Sequence, residues 1–239
     1  MNLHEFQIIF EQECRNNKIN YDKNKSELLF QYMNLILDWN TQINVTAIRE
    51  EKEFIVKHFI DSLTVDYLLE GKIRMLDIGT GAGFPGIPLK IYHPEIQVSL
   101  IDSVNKKITV LKDVIEKLGL NDIEALHIRA EDLAKNTNYR EKFDVVTTRA
   151  VSNLATIAEY MLPFVRLGGI AICMKGPNLE EELENSKKAI KVLGGEIDKI
   201  DKFVVDGEYE RNIVIIRKIK ETEHKYPRGQ GKPLKNPIK

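Results

Sequence analysis

The sequence predicts an α/β fold in which a mostly parallel β-sheet follows a helical N-terminal segment. Two observations carry this prediction. From Ile73 onwards, short apolar runs alternate with amphipathic stretches, a rhythm that is typical of βαβ units. Towards the end of the chain, "EIDKIDKFVV" and "NIVIIRKI" are separated only by Asp206-Gly207-Glu208. Because no helical pattern lies between them, these two segments predict an antiparallel hairpin that closes the sheet.

The segment before Gly71 has a helical pattern throughout. Apolar residues recur every three or four positions between Leu28 and Trp39, and Ser26 is the predicted N-cap of this helix. A second helical stretch covers "EKEFIVKHFIDSLTVDYLLE". Since no strand pattern interrupts these stretches, residues 1–70 are predicted to form a helical N-terminal subdomain.

Residues 71–220 are predicted to form the sheet domain. Besides the hairpin, five runs have the length and composition of buried strands, namely "RMLDI", "QVSLI", "IEALHI", "DVVTT" and "GIAICM". The helices between them are expected to begin near Gly86, Asn105, Leu154 and Leu179. Seven strands with a terminal hairpin differ from the six-stranded, parallel sheet of dinucleotide-binding proteins.

Residues 221–239 differ from the rest of the chain in charge. The whole protein has a net charge of only -1, but from His224 onwards the chain has five Lys and Arg residues and no acidic residue. Three prolines exclude a long helix in this tail. Two interpretations remain open, a solvated and partly disordered terminus or an arm that contacts phosphate groups.

Composition narrows the class of protein. Hydrophobic residues make up 43% of the 239 residues and charged residues 30%, which is ordinary for a globular protein. No apolar run is as long as a membrane span, and the N-terminus lacks the pattern of a signal peptide. The two cysteines, Cys14 and Cys173, form neither a disulfide framework nor a zinc motif. We therefore expect a cytoplasmic protein without a membrane partner.

The stretch "MLDIGTGAGFPGIP" is the clearest functional motif, because it places glycines between a strand and a helix. Such a loop lets a ligand approach the backbone and the helix N-terminus. Read from Gly81, it satisfies the dinucleotide pattern G-x-G-x-x-G, so a nicotinamide enzyme is one candidate. Asp77 argues against a bound pyrophosphate, because a carboxylate two residues before Gly79 favours a cationic ligand such as S-adenosylmethionine.

Two later segments support a nucleoside-containing cofactor. Asp102 ends the second strand, where an acid can accept hydrogen bonds from both ribose hydroxyls of NAD or of S-adenosylmethionine. Ala130 and Glu131 follow the third strand, where an adenine would lie. Neither segment distinguishes between the two cofactors.

The motifs "HFIDSL", "LDIGTGAGFPGIPLKI", "LIDSVNKK", "RAEDL", "FDVVTTRAV" and "YPRGQGKPLKNPI" carry a family resemblance. Together they resemble the bacterial guanine-N7 methyltransferases of small-subunit ribosomal RNA, the glucose-inhibited division protein B family. The likeness extends from about Leu28 to the C-terminus. It implies a class I S-adenosylmethionine-dependent methyltransferase, with a Rossmann-like seven-stranded sheet and a helical N-terminal extension, acting on 16S ribosomal RNA or on the small-subunit particle.

The resemblance also assigns roles to residues. It implies cofactor contact at Gly79, Phe84, Ala130, Glu131 and Arg149, with Asp102 near the ribose. The glycine loop and the end of the second strand add Asp77, Gly81, Gly83 and Ser103 to the predicted cofactor site, and Arg149, at the end of the fourth strand, is the predicted catalytic residue. The cations assigned to RNA binding are Lys106, Lys107, Lys175, Lys225, Arg228, Lys232 and Lys235. No metal site is expected, and the protein is expected to be a monomer.

The chemistry of the residues agrees with this reaction. Methylation of an exocyclic amine usually employs an Asn/Asp-Pro-Pro-aromatic cluster, whereas the fourth strand here ends in "TTRAVSN". A pyrimidine carbon requires a cysteine nucleophile, but Cys173 lies within the predicted strand "GIAICM". Guanine N7 has a free lone pair and loses no proton, so alignment and electrostatics suffice. Lys175 keeps a ribose 2′-hydroxyl target open as a less favoured alternative.

His58 and Asp61 lie one helical turn apart in "HFIDSL". They could form a metal pair, but two ligands without a third are weak support for a metal site. The favoured interpretation is a hydrogen-bonded interface between the N-terminal helices and the cofactor domain. Two further functional classes remain as alternatives, a nicotinamide oxidoreductase and a non-catalytic RNA-binding module.

Overall fold

The computed structural model describes residues 1–149, 152–205, 207 and 209–238. Its centre is a seven-stranded sheet in the order β3-β2-β1-β4-β5-β7-β6, in which only the pairings of β7 are antiparallel. The strands are β1 Arg74–Ile78, β2 Gln97–Asp102, β3 Ile123–His127, β4 Phe143–Arg149, β5 Val165–Lys175, β6 Gly195–Val205 and β7 Tyr209–Lys218. The predicted α/β fold and its terminal hairpin are confirmed. Of the predicted hairpin turn, Asp206 and Glu208 lie outside the described residues.

Two long helices open the chain, α1 Leu3–Asn16 and α2 Lys23–Asn40. The prediction that Ser26 caps the second helix is wrong. Asp22 is the N-cap, and its side chain accepts a hydrogen bond from the Lys25 amide. Ser26 lies buried in the first turn, where its hydroxyl donates to the Lys23 carbonyl at 2.6 Å. An aspartate caps a helix as well as a serine, and here Asp22 is the residue whose side chain accepts from the first helical turn.

The second N-terminal stretch is not one regular helix. It consists of α3 Glu51–Phe54, a π-helical turn Ile55–Ile60, α4 Asp61–Leu63 and a 3₁₀ turn Asp66–Leu68. In the π turn the Asp61 amide donates to the Val56 carbonyl, five residues back. Such turns are rare and occur often at functional sites. This one contains Lys57 and His58 and immediately precedes Asp61.

The remaining helices are α5 Gly86–Tyr92, α6 Asn105–Lys117, α7 Ala130–Leu133, α8 Leu154–Met161, α9 Glu180–Val192 and α10 Lys232–Lys235. They cover both faces of the sheet with two separate hydrophobic clusters. One cluster joins α1 and α2 to α5 and α6, and the other joins α7, α8 and α9. The N-terminal helices therefore share a hydrophobic core with the glycine loop. The division into a helical subdomain and a sheet domain at residue 70 stays a prediction.

The C-terminal tail lies against the sheet domain. Arg140 donates hydrogen bonds to the carbonyls of Thr222 and Tyr226 at 2.7 and 2.9 Å. Thr156 on α8 donates to the Pro233 carbonyl at 2.9 Å. In the described residues the tail is thus a docked segment, and the interpretation as a disordered terminus does not fit these contacts. No helix in the described part of the chain is long and apolar enough to cross a membrane.

Candidate functional site

The predicted site residues meet at the carboxyl edge of the parallel strands. Strand β1 lies between β2 and β4, with Asp77 opposite Leu100 on one side and Thr147 on the other. The strand order reverses between β1 and β4. In open α/β sheets, ligands bind in the crevice beyond the strand ends at such a reversal.

The glycine loop begins where β1 ends. The amides of Gly79 and Thr80 both donate to the Ile101 carbonyl, at 2.9 and 3.1 Å, which fixes the loop over the end of β2. Gly79 and Gly81 have φ values of 68° and 62°, so both need the left-handed conformation that glycine adopts without strain. A Cβ at Gly81 would meet nothing nearer than the Gly79 carbonyl at 4.0 Å. The backbone of Gly81 therefore borders open space that a ligand can fill.

Gly83 has a different environment from Gly81. A Cβ there would lie 2.6 Å from the Tyr32 hydroxyl and 2.7 Å from Ile87 Cδ1. Tyr32, on α2, donates its hydroxyl hydrogen to the Ala82 carbonyl at 2.5 Å. The sequence analysis predicted that Gly83 belongs to the cofactor site. In the structure Gly83 packs closely against side chains of α2 and α5, so glycine is needed here because a larger residue would clash.

Asp77 is completely buried beneath the loop. Its Oδ2 accepts hydrogen bonds from the Thr80 hydroxyl at 2.7 Å and the Gly86 amide at 3.0 Å. Burial raises the pKa of this carboxyl to about 6, and the hydrogen bonds oppose that rise. Asp77 thus ties both ends of the glycine loop together, while its predicted contact with a cofactor cation stays a prediction.

Asp102 faces the same loop from the end of β2. Its Oδ2 accepts from the Gly81 amide at 3.0 Å and its Oδ1 from the Val104 amide at 2.9 Å. Each carboxylate oxygen can accept a further hydrogen bond, because an ionised carboxylate offers about four lone-pair sites. The neighbouring Ser103 is exposed. Lys107 Nζ lies 3.7 Å from Asp102 Oδ2, so this predicted RNA-binding cation is near the acid that is predicted to bind the ribose.

Ala130 and Glu131 open α7, directly after β3, and both are buried. Glu131 Oε1 is 3.3 Å from the amide of Gly231, which donates to it. The C-terminal tail therefore reaches the segment where the sequence predicted an adenine. Nothing in the sequence pattern indicated this contact, because one hundred residues separate the two partners.

Arg149 lies at the end of β4 and is bound by the π turn. Its Nη1 donates to the Lys57 carbonyl at 2.8 Å and to Asp61 Oδ2 at 2.9 Å, and its Nη2 donates to His58 Nδ1 at 2.9 Å. The guanidinium also lies 5.1 Å from the ring centroid of Phe84. The side chain is 15% exposed. The predicted interface between the N-terminal helices and the cofactor domain thus exists, and its contacts run through Arg149.

His58 is neutral in this arrangement. Burial and the nearby Arg149 charge lower the pKa of its imidazole to about 3. Since Nδ1 accepts from Arg149, Nε2 carries the hydrogen and donates to the Thr46 hydroxyl at 2.7 Å. The ring stacks on Phe84 with centroids 4.2 Å apart, so His58, Phe84 and Arg149 form one packed group.

Sequence reasoning missed Arg211, which completes this group from β7. Its Nε donates to Asp61 Oδ1 at 2.7 Å. The register explains the approach, because Asn212 at the start of β7 pairs with Lys175 at the end of β5. The antiparallel β7 therefore begins at the edge where the parallel strands end. No local pattern around Arg211 indicated its partner.

The seven cations assigned to RNA have different environments. Lys106, Lys225, Lys232 and Lys235 are exposed. Lys175 is largely buried and bonds to Glu182 at 2.8 Å and to the Ser152 carbonyl at 2.6 Å. Lys225 pairs with Glu223 at 2.8 Å on the surface.

Arg228 requires a correction. Its Nε and Nη2 donate to the fully buried carboxylate of Glu159, at 2.9 Å to Oε1 and 2.6 Å to Oε2. Its own amide donates to Glu159 Oε1 at 2.8 Å. In this structure Arg228 anchors the tail, because its Nε and Nη2 are bound to Glu159, whereas the sequence suggested a guanidinium that contacts phosphates.

Comparisons with known proteins agree with this site. The family model described as GidB, rRNA small subunit methyltransferase G, matches residues 25–214. A protein named ribosomal RNA small subunit methyltransferase G from Clostridium novyi (strain NT) is 45% identical over 237 residues, covering 98% of this chain and 97% of its own. The protein of that name from Acetivibrio thermocellus is 46% identical over 222 residues, covering 92% and 91%.

Solved structures show the same fold at low sequence identity. TYW2 of M. jannaschii in complex with AdoMet superposes with a TM-score of 0.57 at 14% identity, covering 74% of this chain and 81% of its own. TrmK of M. capricolum in complex with S-adenosyl-homocysteine has a TM-score of 0.52 at 19% identity, covering 68% and 70%. The fold is thus that of the class I S-adenosylmethionine-dependent methyltransferases, as predicted. By the family match and the full-length relatives, this chain belongs to the rRNA small subunit methyltransferase G family.

Proposed function

We propose that this protein transfers a methyl group from S-adenosylmethionine to N7 of a specific guanine in 16S ribosomal RNA. The observation that carries the proposal is the open space beside the Gly81 backbone, whose amide donates to Asp102. This space lies where the strand order reverses, and the chain belongs to a methyltransferase family. A nicotinamide cofactor is the alternative that the glycine motif allows. The antiparallel β7 beside β5 and the buried carboxylate of Asp77 favour the methyltransferase.

The residues present fit S-adenosylmethionine. Asp102 retains acceptor capacity for two ribose hydroxyls, and the space next to Gly81 admits a ligand against the backbone. The exposed Ser103 and the buried Glu131 flank the same edge of the sheet. When bound, S-adenosylmethionine supplies an electrophilic methyl group on a sulfonium. The loop, Asp102 and Glu131 would hold it, and Arg149 would border the space between cofactor and guanine.

Attack by guanine N7 requires no base, and the side chains at the site are consistent with such a reaction. Cys173 is fully buried within β5, and burial raises the pKa of its thiol to about 12, so a thiolate nucleophile does not form near neutral pH. Lys175 is bound to Glu182 and to the Ser152 carbonyl, which makes it a poor base for a ribose hydroxyl. Catalysis is then alignment of N7 with the methyl group in a fixed electrostatic environment.

RNA would reach this edge of the sheet along exposed cations. Lys106 flanks the start of α6, and Lys232 and Lys235 belong to α10, beside the tail segment that contacts Glu131. Phosphate contacts by such cations position an RNA without reading its sequence. We expect a cytoplasmic monomer that acts on 16S RNA or on the assembling small subunit.

Calorimetric titration with S-adenosylmethionine, S-adenosylhomocysteine and NAD tests the cofactor. Binding of the first two and not of NAD is the expected result. Incubation with labelled cofactor and either naked 16S RNA or small subunits, followed by mass spectrometry of the RNA, tests the reaction and should give 7-methylguanine at a single position. Tight NAD binding without a response to S-adenosylmethionine would refute the proposal.

The salt dependence of RNA affinity tests the tail. Because truncation would also remove the Arg228 anchor, the better variant replaces only Lys225, Lys232 and Lys235 with Gln. Each phosphate contact on single-stranded RNA contributes about 0.7 to the slope of log affinity against log salt, so the slope should fall by about 2. Replacing three exposed lysines of α9, Lys187, Lys188 and Lys191, provides a control of equal charge. An unchanged slope would limit the tail to a packing role.

A further inference from the structure

Asp61 is shared between two arginines that belong to different strands. Its Oδ2 accepts from Arg149 Nη1 at 2.9 Å, and its Oδ1 accepts from Arg211 Nε at 2.7 Å. The carboxylate is only 2% exposed, whereas the arginine side chains are 15% and 23% exposed. We name Asp61, Arg149 and Arg211 the Asp61 cluster. These three side chains have one negative and two positive charges, so their sum is +1, and they lie next to the glycine loop.

His58 contributes orientation to the cluster without adding charge. It is neutral near pH 7 and accepts one hydrogen bond from Arg149 Nη2. Both hydrogens of Nη1 are taken by the Lys57 carbonyl and by Asp61. Three of the five guanidinium donors are therefore used by the residues 57–61, which fixes the plane of the Arg149 side chain. Asp61 is the carboxylate that is hydrogen-bonded to Arg149, and the buried Asp77 interacts with the same charge without such a bond.

The charge of the cluster matters because the two states of the proposed cofactor differ in charge. S-adenosylmethionine has a sulfonium cation, whereas its product S-adenosylhomocysteine has a neutral thioether. A guanidinium without a counter-ion, placed beside the methyl donor, would repel the sulfonium and leave the thioether unaffected. The contact of Arg149 with Phe84, in the cofactor loop, places the guanidinium at this side of the loop.

We propose that Asp61 is a positioning residue that orients Arg149 and offsets its charge, so that the site accepts the sulfonium of the methyl donor. The inference rests on the proposed function. It gives the N-terminal helical segment a role in cofactor discrimination, in addition to its packing against the loop. Because the Asp61 side chain is only 2% exposed, its effect on the cofactor would pass through Arg149.

The substitution Asp61→Asn tests the charge with little change in shape. The amide oxygen can still accept from one arginine, but the cluster charge rises from +1 to +2. At about 8 Å and an intermediate effective dielectric constant of about 40, one added charge should weaken binding of S-adenosylmethionine by at least about fivefold relative to S-adenosylhomocysteine. A merely structural defect would weaken both ligands equally, so the ratio of the two affinities is the informative quantity.

Two further variants complete the calorimetric experiment. Asp66→Asn is the matched control, because Asp66 belongs to the same segment but contacts His93 at 2.7 Å, and its affinity ratio should stay at the wild-type value. Arg149→Gln removes one positive charge and should shift the ratio towards S-adenosylmethionine. If the Asp61→Asn variant does not fold, the affinity ratio of Arg149→Gln still tests the proposal.

The possible outcomes separate the two proposals. Opposite shifts of the ratio in Asp61→Asn and Arg149→Gln support the charge-balancing role. A wild-type ratio in both variants, or equal loss of both ligands in Asp61→Asn, overturns the role of Asp61 while leaving the methyltransferase proposal intact. If the wild-type protein binds neither ligand, the proposed function fails and the role of Asp61 fails with it.

Discussion

Replacing Glu159 with Gln should release the C-terminal tail from the sheet domain. Glu159 is fully buried on α8 and accepts hydrogen bonds from the amide, Nε and Nη2 of Arg228. Removing one partner of a buried ion pair costs about 3–5 kcal/mol. Because Gln keeps one acceptor oxygen, and because Arg228 is 25% exposed and can be partly solvated, we expect a loss of about 2–3 kcal/mol in tail docking.

Amide hydrogen exchange measures this loss directly. The amides of Lys235 and Asn236 donate within α10, a single turn whose order depends on the docked tail. A loss of about 2–3 kcal/mol should accelerate their exchange by about 30- to 150-fold, while amides in the sheet keep their wild-type rates. Glu116→Gln, on the exposed face of α6, serves as the control. Unchanged exchange in α10 of the Glu159→Gln variant would show that the ion pair does not hold the tail.

Three further predictions concern the cofactor edge. Arg149→Ala should lower the single-turnover methylation rate at least tenfold, which corresponds to about 1.4 kcal/mol in activation free energy, while thermal denaturation still shows a folded protein. A wild-type rate would show that Arg149 does not belong to the active site. Gly79→Val should abolish binding of S-adenosylmethionine and also lower the midpoint of thermal unfolding, because a β-branched residue is strained at a φ of 68°. Gly83→Ala, which places a Cβ 2.6 Å from the Tyr32 hydroxyl at a φ of 101°, should lower the midpoint as well. A wild-type midpoint in either variant would contradict this reasoning. Burial raises the pKa of Asp77 to about 6, so the folded protein holds a proton there that the unfolded chain releases near pH 4. The contribution of Asp77 to the free energy of unfolding should therefore fall by about 3 kcal/mol as pH rises from about 4 to 7, and urea unfolding of Asp77→Asn should lack this component.

The sheet and the cofactor loop were predictable because their determinants are local. A strand of five residues, a glycine run that adopts positive φ at Gly79 and Gly81, and an acid at the end of the next strand all leave marks within a short window. The hairpin was equally visible, since the absence of a helix between two strands is itself a local pattern. The family motifs extended these observations to a reaction and to a list of residues.

Local sequence patterns did not predict the structure correctly where one pattern was compatible with two structures. Both Asp22 and Ser26 can cap α2, and the sequence does not state which one ends the preceding loop. The π turn in Ile55–Ile60 has the same apolar spacing as a regular helix, so only the packing of its buried side chains reveals the extra residue in the turn. Gly83 and Gly81 looked alike in the motif, but the helix α2 packs against one and leaves the other open.

The sequence alone therefore determined the succession of the seven strands along the chain, the helices that begin near Gly86, Asn105, Leu154 and Leu179, the glycine loop and the acid that faces it. The tertiary structure decided which charges meet. Arg149 and Asp61 are 88 residues apart, Arg211 and Asp61 150, and Arg228 and Glu159 69. The physical reason is that an ion pair depends on where two chain segments cross, and a charged side chain looks the same in the sequence whether it binds RNA or a buried carboxylate. Arg228 was assigned to RNA on its charge, and the buried position of Glu159 makes it the anchor of the tail.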